Sequence, residues 1–356
     1  MRYRWEDGPP AARTDSKPKG LARPSAGAVL LMLILAFILN RLFGAAIARV
    51  PKRWFPLGIL MAEIVTFGLP CAFFMRRDGD TDVFLFNRSK RGGPYMRSII
   101  LGIVAAMLML GITALWQSFI FAQGINLNRL VTDINYGTVF TSLLVAAVAP
   151  AVCEELFFRG ALMSAFEPYG GGIAVTLSGL LFAMIHGAFA ALPVHLLLGL
   201  TLAYVAYASR NIFAPVCVHF AYNATLVLID KLMADVVKPG EVVFLLTKAE
   251  TIQIIIQTAI YLLVFLSVLR TLAIRSAVVY APVPQLTEAD DEQPTQAMQT
   301  LQTMQTAQTE QAAQNELIYK EAAQKKRMPL MLRVGLLCIF LLLAAAYVYD
   351  AILLSA

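Results

Sequence analysis

The chain has 356 residues, 58% of them hydrophobic and 15% charged, with a formal net charge of +6. An ordinary soluble domain carries about 45 to 50% apolar and about 25% charged residues, so a purely water-soluble enzyme is excluded. The Lys and Arg residues stand at the ends of apolar blocks and not along one face, which speaks against nucleic acid as a partner.

The apolar residues fall into blocks of about 20, the length that crosses a hydrocarbon core of about 30 Å, so the lipid bilayer is the main solvent. Residues 1–24 read as a basic tail without the pattern of a cleavable signal peptide. Nine spans are predicted after it: about Ser25–Ile47, Phe55–Met75, Ser98–Phe121, Thr138–Phe166, Gly172–Ala190, Leu192–Ala208, Ile212–Ala234, Thr251–Leu272 and Leu330–Leu353. The sixth is the shortest. Runs of this length pair their backbone polar groups internally as helices, whereas barrel strands alternate over about ten residues. The predicted fold class is therefore all-α, a polytopic transmembrane helix bundle of about nine spans, with its core in spans four to seven.

The predicted organisation is a cytoplasmic tail (1–24), N-terminal transmembrane helices (25–137), a membrane core (138–234), a C-terminal core helix (235–275), a polar Gln/Thr-rich linker (276–329) and a last transmembrane helix (330–356). Arg76, Arg77, Arg88, Lys90, Arg91 and Arg97 put the second loop in the cytoplasm, and with it the N-terminus of a multi-pass cell-membrane protein. Arg49, Lys52 and Arg53 dissent from that orientation. Cys71, Cys153, Cys217 and Cys338 stand singly in apolar sequence and read as small core residues.

An ionisable group inside a span costs about 2.5 to 3.5 kcal/mol on insertion scales, so such groups mark function. They are read as concentrated in spans four to seven. The fourth span, APAVCEELFFRGAL, holds Glu154, Glu155 and Arg159. Residues four apart share a helix face, so Glu155 and Arg159 can pair, while Glu154 points about 100° away and needs a partner on another helix. The fifth span ends in FAMIH with His186. The seventh carries His219 and Asn223, whose i, i+4 spacing lets an imidazole and a carboxamide donate to a single oxygen. A carboxylate, two imidazoles and an amide supply a base, a water-orienting group and oxyanion donors, the parts of a hydrolase. No Ser or Cys stands in a nucleophile setting, so water is the expected nucleophile. Spacing alone does not separate a general base from a metal ligand.

His195 lies at a helix start and reads as an interfacial or capping residue. Asp350 reads as lying near the outer face. Counting about 1.5 Å per residue from the expected cytoplasmic ends puts His219 about 12 Å deep and His186 about 21 Å deep, which leaves a gap between two side chains expected to meet.

EELFFR at Glu154–Arg159, FAMIH at Phe182–His186 and HFAYN at His219–Asn223 resemble the three motifs of the CPBP (Abi) family, which includes the type II CAAX prenyl proteases. The resemblance covers about Thr138–Asp230. It implies an intramembrane endopeptidase in which Glu154 activates water with help from His186, His219 and Asn223 hold the oxyanion, and Glu155 and Arg159 support them. No cofactor is then required. The alternative is a metalloprotease with zinc on Glu154, His186 and His219, an acceptable three-ligand set although no HExxH pair is present. The implied partner is a hydrophobic or lipid-modified peptide, and no nucleic acid. Two other readings use the same residues: a non-enzymatic scaffold or immunity-type factor that binds a peptide, and a proton-coupled transporter, for which no inverted repeat is evident.

Overall fold

In the computed structural model, the described residues are 25–47, 49–78, 95–125, 127, 137–233, 245–279 and 328–355. The basic tail, the residues Arg88, Lys90 and Arg91, and the polar linker except for 276–279 and 328–329 lie outside them.

Among the described residues every regular element is helical, and eight segments are long and apolar enough to cross a membrane. In chain order the helices are α1 (Ala26–Ile47), α2 (Lys52–Phe73, continuing to Asp78), α3 (Tyr95–Ala122), α4 (Val139–Tyr169), α5 (Gly171–His186), α6 (Leu192–Ser209), α7 (Phe213–Met233), α8 (Lys248–Val279) and α9 (Leu330–Ser355). The bundle of apolar helices agrees with the expected fold class.

One length differs from expectation. The short helix is α5, with 16 residues, and not α6, which together with the 3-10 turn Phe189–Ala191 makes a 21-residue segment. At about 1.5 Å per residue α5 is about 24 Å long, less than a hydrocarbon core. It stops at His186 because Gly187 adopts the left-handed conformation, φ 57°, and ends the α-helical hydrogen bonding there.

α5 packs on α6, α3 on α7 and α8, and α7 on α4. Small residues allow a close crossing of α5 and α6: a Cβ on Gly199 would lie 2.5 Å from the Gly179 carbonyl oxygen, and one on Gly179 would lie 2.9 Å from the Leu200 backbone. Helices in lipid gain nothing from hiding apolar surface from each other and associate through such close packing. α4 is the most enclosed, with Phe157 through Phe166 all buried. It is α-helical at Ala149–Glu155 and π-helical at Leu144–Val148 and Leu156–Leu162. Wide turns of this kind occur frequently at functional sites.

Candidate active site at the end of α5

Glu154 and Glu155 close the α-helical turn of α4 just before its second π-helical stretch. Glu155, Arg159 and His219 form one buried network. Arg159 Nη1 donates to Glu155 Oε1 at 2.8 Å, and Arg159 Nη2 donates to the Gly199 carbonyl at 2.9 Å. The guanidinium carbon also stands 4.5 Å above the Phe182 ring. A buried ion pair depends on good geometry and on partners for its further polar atoms; carboxylate, backbone carbonyl and ring surround the cation, while Arg159 Nε and Glu155 Oε2 are buried without a hydrogen-bond partner among the described residues.

The same Glu155 Oε1 lies 2.9 Å from His219 Nδ1. A carboxylate already accepting from Arg159 is an acceptor, so the hydrogen is on Nδ1 and Nε2 faces away from Glu155. That nitrogen is 4.0 Å from Glu154 Oε2. His186 has a matching arrangement: Nδ1 is 2.7 Å from the Phe182 carbonyl, which can only accept, and Nε2 is 3.9 Å from Glu154 Oε1. Two imidazoles from two helices thus present Nε2 to the two oxygens of one carboxylate. At 3.9 and 4.0 Å these are too long for direct hydrogen bonds and suit a bridging water. Both rings face the same carboxylate, so the depth gap expected between His186 and His219 is not present in the structure.

The side chains of Glu154 and His219 are 6% and 3% exposed against 25% for His186, so the cluster opens on the His186 side. Glu154 Oε2 is buried without a hydrogen-bond partner among the described residues. Asn223, one turn beyond His219 on α7, is half-buried. Its carboxamide makes no hydrogen bond to the described residues, Glu154, His186 and His219 included.

Of the two roles expected of His195, interfacial or capping, the capping one is absent. The residue lies in the first turn of α6, makes no capping hydrogen bond there, and its ring stacks on His186 with centroids 4.2 Å apart. Its place in the cluster follows from the α5–α6 hairpin, which no local spacing reveals. Glu63, on α2, was also passed over. Its Oε2 is buried without a partner, and it is close enough to act electrostatically on both Glu154 and Cys153. A lone carboxyl inside an apolar span was the signal for it. Of the four cysteines, all free, Cys71 is buried as expected and Cys338 is exposed.

Among the described residues no group of three His, Cys, Asp or Glu is arranged to hold a metal ion. Ligands about 2.0 to 2.2 Å from a tetrahedral zinc would lie about 3.4 Å from one another, closer than the separations of Glu154 from either imidazole. A groove of about 670 Å³ between α1 and α9 lies elsewhere, beside Tyr169 at the opposite end of α5, and no carboxylate, imidazole or basic group lines it.

Residues 136–225, about a quarter of the chain, match the family model described as type II CAAX prenyl endopeptidase, Rce1-like. The segment takes in Glu154, Glu155, Arg159, His186, His195, His219 and Asn223, and the match agrees with the CPBP resemblance of its three motifs. The match is thus a similarity of one segment of a helical membrane bundle to a protease family. No curated protein and no solved structure matches the chain.

Proposed function

We propose that this chain is an intramembrane endopeptidase that hydrolyses a peptide bond with a water activated by Glu154. The observation that carries the reading is the Glu154 carboxylate facing the Nε2 atoms of His186 and His219 at 3.9 and 4.0 Å.

In the proposed reaction a water donates to Glu154 and to the lone pair on His186 Nε2. Glu154 takes one proton as the oxygen attacks the scissile carbonyl. The oxyanion accepts from the Asn223 carboxamide and from His219 when its Nε2 also carries a proton, with Glu155 balancing the imidazolium charge. Glu154 then returns the proton to the leaving nitrogen as the C–N bond breaks. Protein groups and water suffice, so no cofactor is required.

The proposed substrate is a hydrophobic or lipid-modified peptide that reaches the cluster from the bilayer on the His186 side. The proposed location is the cell membrane, with the N-terminus cytoplasmic. The test is purified protein in lipid nanodiscs, given a farnesylated peptide with a CAAX-type end and an unmodified apolar peptide, with products read by mass spectrometry. Cleavage of either supports the reading, and intact peptides in both arms contradict it.

Two further results are expected. Asn223→Ala, which removes an oxyanion donor, lowers kcat by about 100-fold or more, by analogy with oxyanion-hole deletions. Prolonged dialysis against a chelator leaves the cleavage rate unchanged, and recovery on adding zinc after a loss would contradict the water-and-carboxylate chemistry.

A further inference from the structure

α5 ends inside the bundle, and a helix end leaves its last carbonyls without intrahelical donors. In a soluble protein water would take them, but within a membrane the protein must supply the donors. Four carbonyls at this end have donors. Phe182 O accepts from His186 Nδ1, Ala183 O from the Tyr347 hydroxyl, Met184 O from Gly187 N at 3.2 Å, and His186 O from Arg41 Nη2 at 3.1 Å. Just beyond, Phe189 N donates to Asp350 Oδ2 at 2.8 Å, and Trp116 Nε1 donates to Phe189 O at 3.2 Å.

Arg41 comes from α1, and Tyr347 and Asp350 from α9. All three lie outside residues 136–225. Tyr347 and Asp350 are three apart and so share a helix face. α9 is otherwise mostly exposed within the bundle, yet it directs a hydroxyl and a carboxylate inward, where ionisable groups in spans are functional by default. Asp350, expected near the outer face, is bound to the turn after α5. Gly187 completes the arrangement: a Cβ there would lie 1.9 Å from Arg41 Nη2, so the guanidinium occupies the space a side chain would need.

We propose that Arg41, Tyr347 and Asp350 are positioning residues that fix the end of α5 so that His186 Nε2 stays against the Glu154 carboxylate. The proposal rests on the proteolytic reading of the site. Misplacement of a reacting group by about 1 Å can cost about 100-fold in rate, and His186 is the last residue of a helix whose end would otherwise fray.

The experiment uses the full chain in nanodiscs and compares Tyr347→Phe, Asp350→Ala, Asp350→Asn, Arg41→Met and Arg41→Lys by peptide cleavage and by hydrogen exchange over residues 183–190. The expected result is a kcat lowered by about 10- to 100-fold in Tyr347→Phe, Asp350→Ala and Arg41→Met, with KM changed by less than about threefold. Faster exchange confined to 183–190 accompanies that loss. Asp350→Asn, which keeps an accepting oxygen, and Arg41→Lys, which keeps a donor, recover most of kcat. Unchanged exchange in the three disruptive variants overturns the proposal, whatever their kcat, and so does a loss that appears in KM alone. If the unaltered chain cleaves neither peptide, the proteolytic reading fails. The exchange measurement then still decides whether the three side chains hold the end of α5.

Discussion

Replacement of Glu154 by glutamine is expected to lower peptide cleavage by about 10²- to 10⁴-fold, the range for loss of a general base. Glutamine keeps the shape and one accepting oxygen, so it can still bind a water between His186 and His219. It cannot take the proton that makes that water a nucleophile. Because the carboxylate is buried and Oε2 has no protein partner among the described residues, the neutral amide costs the fold little, and the thermal midpoint is expected to stay close to that of the unaltered chain. Glu154→Asp keeps the acid but withdraws it by one methylene from nitrogens already 3.9 and 4.0 Å away. Its activity should fall between the two. A Glu154→Gln protein that folds and cleaves at the original rate would remove Glu154 from the chemistry.

Arg159→Met is expected to act on the fold first. It leaves the Glu155 carboxylate, 0% exposed, without its cation, and breaking a buried pair from one side costs about 3 to 5 kcal/mol. The Gly199 carbonyl loses its donor in the same step. Unfolding of the purified variant, followed by thermal denaturation in a mild detergent, should show that loss. Adding Glu155→Gln removes the stranded charge, and the double variant should regain most of the stability, since replacing both partners of a buried pair is often close to neutral. Activity should not return with it, because an amide beside His219 Nδ1 lacks the negative charge that balances the imidazolium in the proposed reaction. Equal recovery of stability and rate would mean that Glu155 serves the fold alone.

The separation of those two outcomes reflects what could be read from the chain. The apolar blocks predict the helices well, because a lipid-spanning helix needs an uninterrupted run and little else. The carboxylate and the two imidazoles are legible for the same reason, since each is conspicuous in an apolar segment. The end of α5 was not. Hydropathy continues through Gly187 to Ala190, and only the left-handed glycine after His186 marks the stop. Contacts between residues distant in sequence were not legible: His195 meets His186 through a hairpin, and Asp350 meets Phe189 across 161 residues. Arg41 and Glu63 were open to the rule that ionisable groups in spans mark function, but they lie in α1 and α2, outside the stretch that carries the motifs.

The most direct test of the central claim is a comparison of peptide termini in membranes from cells that produce the unaltered chain and cells that produce Glu154→Gln at the same level. Water activated at Glu154 predicts new C-termini, cut within or beside apolar segments, that appear with the unaltered chain and are missing with the variant. Identical sets of termini from the two would contradict it and leave the cluster as a binding site.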